Sequence, residues 1–300
     1  MPTTANGTAY TVTSAVVGGS TCYWGVANTI AGTVDIPTLL YIHGSGGGPE
    51  QFASFSAWTE FRDWLIDHGW AWVEGGGDVT DAAGQQNWGN AGSRTAYQAY
   101  LTHVGGILDI GDLVVMGRSM GGITASWLFT MSPIAGNFVG AIFNSAVSTL
   151  FTGEAVGPSI GLPTGVYFGS NVYTAHGVAD YAELVSTKQA FAPETWAPSV
   201  WTGKKILHMY GTADTSVPWY PRGGSAMRDL WAGLPAVDRI NVRDGGDHSA
   251  GNGSFLEVSA MTSFLQELHP VVPIVTAKGW RTRAHFLIKG GERYVMQPLR

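Results

Sequence analysis

The chain has 300 residues, 16 Lys and Arg against 22 Asp and Glu, and a formal charge of −6; 45% of it is hydrophobic and only 13% charged. This composition excludes a disordered chain, gives no basis for nucleic acid as the main partner, and allows a substantial core in one large domain or two small ones. Cys22 is the single cysteine, so an internal disulfide is excluded and a cysteine-based metal cluster has no support.

The opening "MPTTANGTAYTVTSAVVGGS" lacks the basic start and long apolar run of a signal peptide. No run of eighteen apolar residues is present to span a bilayer. The expectation is a soluble protein without a membrane span. Thr8–Val17 and Thr21–Ile30, rich in β-branched and aromatic residues and separated by Gly18, Gly19 and Ser20, predict an antiparallel hairpin. "PTLLYIHG", Pro37–Gly44, reads as a strand buried on both faces. Phe52, Phe55, Trp58, Phe61, Trp64 and Leu65 fall at helical spacing and predict one helix through His68.

"WAWVEGG", Trp70–Gly76, is a second buried-type strand, and Ser93 offers an N-cap for a helix through about Leu108. "DLVVMG", Asp112–Gly117, predicts a third strand, with a helix over Gly121–Met131 behind it. Phe138–Ala146, Lys205–Tyr210 and Asp238–Val242 read as further strands, and Phe255–Leu268 as a late amphipathic helix. This alternation predicts an α/β fold: a mostly parallel central sheet with an antiparallel start and helices on both faces. Ser148–Gly203 interrupts the rhythm and is expected to cap one edge of the sheet, as a mobile lid or as a fixed wall. The final thirty residues hold six of the sixteen Lys and Arg and one of the twenty-two acids; in them "AHFLIKGGERYVM" has the pattern of a hairpin turning at Gly290–Gly291.

The chemistry gathers around "VVMGRSMGGITASW", Val114–Trp127. Gly117, Ser119 and Gly121 match G-x-S-x-G, placed between a predicted strand and a predicted helix. A nucleophilic serine must stand clear of the sheet on a sharp strand-to-helix turn, which leaves room only for small residues two positions before and after it. Such a serine needs a base, and the base needs an orienting group. Asp214 in "HMYGTADTSVP" and His248 in "VRDGGDHSAG" follow the next two strands, in the order Ser, acid, His that this topology demands. Asp180 is the reserve acid. Asp244 and Asp247 are expected to shape the histidine loop, and His43 and His208 to be structural. An oxyanion hole needs the N–H of Met120, after the nucleophile, and a second one from the glycine-rich "YIHGSGGG", where Ser45 or Gly46 is the candidate donor.

No G-x-x-x-x-G-K-[ST] or H-E-x-x-H occurs, and Pro49 stands where a dinucleotide fingerprint needs its third glycine. Trp72, Trp88, Trp196, Trp201 and Trp219 lie near the catalytic loops or the insertion, where they line an acyl or sugar site or belong to the core; for Trp72 the expectation is core. Arg118, directly before the nucleophile, is placed to attract an acidic substrate or to pair with a neighbouring carboxylate.

Together the "HG-x-G-G" loop, the G-x-S-x-G-G elbow, the G-x-x-D-x-x-V-P stretch of Gly211–Pro218 and the G-x-x-H of Gly245–His248 resemble the α/β-hydrolase superfamily over roughly residues 8 to 270. They are similar to those of small bacterial esterases, polyester depolymerase-like enzymes and related serine peptidases. The resemblance implies an eight-stranded, largely parallel sheet and no cofactor. It also implies Ser119 as nucleophile, Asp214 as orienting acid, His248 as base, and Met120 and Ser45 as oxyanion donors. The activity expected is hydrolysis of a carboxylic ester, with amide hydrolysis and acyl transfer as variants of the same fold. A structural or binding protein that keeps the fold without catalysis is the alternative of another class. The basic tail 271–300 resembles attachment segments of phage tail-associated proteins, which implies particle attachment or a homo-oligomer, and a cytoplasmic or virion-associated chain. As an edge hairpin, it would instead extend the sheet or join two copies.

Overall fold

The computed structural model describes residues 1–78, 87–151, 168–219, 228, 231–248 and 256–270, together with the strands Phe286–Lys289 and Glu292–Val295. Strand β1 (Tyr10–Val17) pairs antiparallel with β2 (Ser20–Ala27). The turn is the two residues Gly18 and Gly19, both at positive φ (60° and 91°), the conformation whose twist matches the flanking strands. Ser20 therefore belongs to β2, opposite Val17, rather than to the turn.

Strands β3 (Ile36–Ile42), β4 (Ala71–Gly75), β5 (Ile110–Arg118), β6 (Phe138–Asn144), β7 (Lys205–Gly211) and β8 (Val237–Arg243) complete an eight-stranded sheet in the order β1-β2-β4-β3-β5-β6-β7-β8. β2 meets β4 antiparallel, and every pairing from β4 to β8 is parallel. Every residue of β3 and β4 is buried, as their apolar composition requires of strands covered on both faces.

The helix expected over 52–68 is three pieces: α1 (Gln51–Ser54), a 3₁₀ turn at Ser56–Trp58, and α2 (Thr59–Asp67). At the start of α1 the Glu74 carboxyl accepts from the otherwise unpaired amides Phe52 N (2.7 Å) and Ala53 N (2.6 Å), while the Arg62 guanidinium takes the Phe52 and Phe55 carbonyls that a continuous helix would use. Phe55 is left extended between the pieces, a tertiary arrangement that periodicity does not encode. Helix α3 runs Ala91–Gly105 and is capped by Asn90, not Ser93: the Asn90 side chain accepts from Ser93 N at 2.8 Å. Ser93 is one turn inside, its hydroxyl on the Asn90 carbonyl.

Helix α4 (Gly121–Thr130) follows β5, packs on β3, β5 and β6, and touches α3. α2 packs instead against the late helix Val258–Leu268, so the sheet is covered by two separate helix pairs. Among the described residues of 148–203 there is no strand; helices α5 (Gly169–His176) and α6 (Tyr181–Thr187) and short 3₁₀ turns form a layer over the end of α4. Its apolar side chains make a second core with Trp88, Met120 and Ile123. The late helix Val258–Leu268 becomes α7.

Strands β9 (Phe286–Lys289) and β10 (Glu292–Val295) pair antiparallel as a separate two-stranded sheet, in the register of a hairpin about Gly290–Gly291. The rest of 271–300, and with it most of the attachment expectation, lies outside the described residues. Among the described residues no helix is long and apolar enough to cross a membrane.

Candidate active site

Ser119 sits between β5 and α4 at φ 48°, left-handed backbone that a side chain rarely adopts. The neighbouring glycines are required by close approach. A Cβ at Gly117 would lie 2.7 Å from the Ala125 Cβ, and one at Gly121 would lie 2.7 Å from the His43 carbonyl oxygen. The turn is pinned by Ser119 N donating to Asn144 O (3.1 Å) and by Val147 N donating to Ser119 O (2.8 Å).

The structure brings Ser119, His248 and Asp214 into one chain of hydrogen bonds. His248 Nε2 is 2.8 Å from Ser119 Oγ, and His248 Nδ1 is 2.7 Å from Asp214 Oδ2. An ionised carboxylate only accepts, so Nδ1 carries the proton and the Nε2 lone pair faces the serine hydroxyl. Asp214 stands past the end of β7 and is 3% exposed. Its other oxygen, Oδ1, accepts from Ser216 N (3.0 Å) and Val217 N (2.8 Å). Burial alone would raise the Asp214 pKa; the hydrogen bond and charge of His248, with the Val217 amide, outweigh it and hold the carboxyl below its usual range.

Met120 occupies the N-cap position of α4, so its N–H has no preceding turn of helix to bond to. The loop after β3 lies directly against Ser119: a Cβ on Gly44 would be 2.9 Å from the Ser119 Cβ. Gly47 N donates to Gly44 O (3.0 Å), closing a tight turn with Gly46 at φ 75° and with Ser45 exposed at its tip. The amides of Met120 and Ser45 thus belong to the two segments that meet at Ser119.

The expected substrate contacts fare differently. Arg118 is 5% exposed, and its Nη2 donates to the His248 carbonyl at 3.2 Å; it lies beneath the site and is not displayed to attract an acidic substrate. Burial lowers its pKa, opposed by Tyr41 and the Asp214 carboxylate. Trp88, at φ 40°, is fully buried in the second core against Phe168, and its carbonyl faces His176 Nε2 at 3.0 Å. Trp219 is half-buried; it stacks on Tyr210 (centroids 4.7 Å apart) and lines a small cavity with Ser145 and Val217, on the Asp214 side of the site. Trp72, Trp196 and Trp201 are core residues. Asp180 caps α6 by accepting from Glu183 N, far from acid duty.

Supports that motif reading missed include Gln51, whose Oε1 accepts from Tyr41 OH (2.7 Å) and whose side chain fills the space beside Gly47. Asn87 is another: its Oδ1 accepts from Asp78 N (2.8 Å), and its Nδ2 donates to Gly76 O (3.3 Å). The His43 ring lies between the Gly44 and Gly76 carbonyls, its Nδ1 2.8 Å from the first and its Nε2 3.2 Å from the second, and as a neutral imidazole it donates to one of them. "NWGN", Asn87–Asn90, was the available signal, a cluster of turn formers before a helix.

No family model matches the sequence, and no curated protein does. Solved structures do match. An S-formylglutathione hydrolase from Agrobacterium tumefaciens superposes with a TM-score of 0.61 at 16% identity, over 88% of this chain and 96% of that one. An esterase from Pyrococcus furiosus gives 0.56 at 13% identity, over 87% and 93%. A prolyl endopeptidase gives 0.62 at 15% identity over 86% of this chain, which spans only 39% of the peptidase's length. With its sheet order, elbow and crossovers, the chain has the α/β-hydrolase fold.

Proposed function

We propose that the protein is a serine acyl hydrolase that cleaves a carboxylic ester. The observation that carries this reading is the hydrogen-bonded chain Ser119–His248–Asp214, with the imidazole tautomer set by the carboxylate. Ser119 Oγ attacks the ester carbonyl as His248 Nε2 takes its proton. Asp214 orients the ring and stabilises the imidazolium. The oxyanion of the tetrahedral intermediate accepts from the Met120 and Ser45 amides. His248 then protonates the leaving alcohol, and the acyl-enzyme is released by water activated in the same way. The same groups would serve amide hydrolysis, and a prolyl endopeptidase shares the fold.

The insertion supports a small-substrate reading, because its described part is tied down as a wall. The Arg94 guanidinium donates to the Ala190 and Phe191 carbonyls and lies over the rings of Phe191, Trp127 and Trp196. Asn90 Nδ2 donates to Ala175 O (3.0 Å), and Glu194 accepts from the Leu150 and Phe151 amides. Short acyl groups are therefore the class we assign.

The test is hydrolysis of p-nitrophenyl esters of increasing chain length by wild type and Ser119→Ala, with labelling by a serine-directed phosphonate. Turnover with an optimum at short chains, lost on the order of 10⁴-fold in the variant, is expected. Folded protein that neither turns over any ester nor takes the phosphonate would refute the reading in favour of a binding protein. Labelling without ester turnover would point to an amide substrate.

A further inference from the structure

Arg118 places a buried guanidinium beneath Ser119, and its surroundings define a role. It is the last residue of β5, so its position is fixed by the same strand that presents Ser119. Nη2 donates to the main-chain carbonyl of His248 at 3.2 Å. Nη1 occupies the space beside Gly44: a Cβ there would come within 2.7 Å of it. One planar fork thereby touches the histidine loop and the first residue of the oxyanion loop. Tyr41, on β3, and Asp214, past β7, are near enough to act on its charge.

A guanidinium is expensive to bury and is kept only where it is paired and hydrogen-bonded. Here the Asp214 carboxylate supplies the opposite charge, and the His248 carbonyl receives a donor. Replacing the fork by an apolar chain would leave that carbonyl without this donor and the histidine loop without its tie to β5. A lysine would keep the charge but bring a point donor in place of a planar fork fitted between two loops.

We infer that Arg118 is a positioning residue: it holds the His248 main chain and the Gly44 turn in register with Ser119, and it does not bind substrate. This rests on the acyl-hydrolase reading above. Since a displacement of catalytic groups by about 1 Å can lower a rate on the order of 10²-fold, the effect belongs in kcat and not in KM.

The experiment compares wild type, Arg118→Met and Arg118→Lys, each shown folded by circular dichroism and counted by active-site titration. Neutral and carboxylate-bearing p-nitrophenyl esters are the substrates. The expected result is a kcat lowered roughly 10- to 100-fold in Arg118→Met and less in Arg118→Lys. KM is unchanged for both substrate types. A KM that rises for the anionic ester alone would overturn the inference and restore a substrate-binding role. Wild-type kcat in both variants would overturn it equally. Should Arg118→Met fail to fold, Arg118→Lys decides by the same criteria, a lowered kcat at constant KM supporting the inference and a wild-type kcat refuting it. Wild type that neither turns over ester nor takes the phosphonate counts against the hydrolase reading itself, and so is distinguishable from a failure at Arg118.

Discussion

Replacing Asp214 with asparagine tests the tautomer on which the proposed chemistry depends. In the structure one carboxylate oxygen accepts from two backbone amides, Ser216 and Val217, and the other accepts from His248 Nδ1. An asparagine has one acceptor oxygen and one NH₂ donor. Turning the NH₂ toward the amides sets donor against donor twice, whereas turning it toward His248 does so once. The oxygen therefore stays with the two amides and the NH₂ faces the ring. The ring answers by moving its proton to Nε2, where it can no longer accept from Ser119.

The expected loss in kcat is about 10⁴-fold, equivalent to about 5.4 kcal/mol at 1.36 kcal/mol per tenfold. The fold itself should survive, since the loop keeps both amide bonds. Stopped-flow hydrolysis of a short p-nitrophenyl ester, with circular dichroism as control, measures it. A folded variant within about tenfold of wild type would refute the tautomer argument. Stability offers a second readout. Because the Asp214 pKa is lowered in the fold, its ionised form contributes stability above the unfolded value of 3.8 that is lost as pH falls through the lower folded value. Asp214→Asn should remove that share of the acid sensitivity.

Gly121→Ala drives a methyl toward the His43 carbonyl oxygen, 2.7 Å away, and should destabilise the protein by roughly 1–3 kcal/mol in urea unfolding; a stabilised variant would contradict the close-approach account of the elbow. Burial holds His176 at about 4 and His208 at about 3, both below the unfolded 6.5. His208 lies 3.7 Å from Asp238, but Arg228 already occupies that carboxylate and disfavours a second cation, so the ring is neutral. Both histidines contribute stability that is full above pH 6.5 and lost as pH falls through the folded values. His208→Phe should flatten the lower part of the stability–pH curve, and an unchanged curve would refute this. Glu74 runs the other way: burial raises it from 4.5 to about 8, against the pull of the Phe52 and Ala53 amides and Arg62. Its contribution is greatest below pH 4.5 and is lost as pH rises toward 8, a slope that Glu74→Gln should abolish in urea titrations. Arg94→Met removes the tie between α3 and the insertion; hydrogen exchange should quicken at 189–196 and longer esters should become substrates, while unchanged exchange would argue against the wall.

The sequence by itself determined the strand–helix alternation, the buried character of β3 and β4, and the elbow, because these depend on local composition and on glycines that only close packing explains. Motif order also picked out Ser119, Asp214 and His248, which the chain then brings within hydrogen-bond reach. What tertiary structure decided lies where side chains distant in sequence replace local backbone partners. Arg62 takes the Phe52 and Phe55 carbonyls where the helix expected over 52–68 is interrupted, Glu74 anchors the first turn of α1, and Asn90 rather than Ser93 begins α3. The direction of Arg118 was equally beyond local pattern: whether a side chain next to Ser119 faces solvent or the His248 carbonyl depends on a loop 130 residues further along the chain. Periodicity reports which face a residue occupies, but a buried polar group's partner is set by the fold that surrounds it.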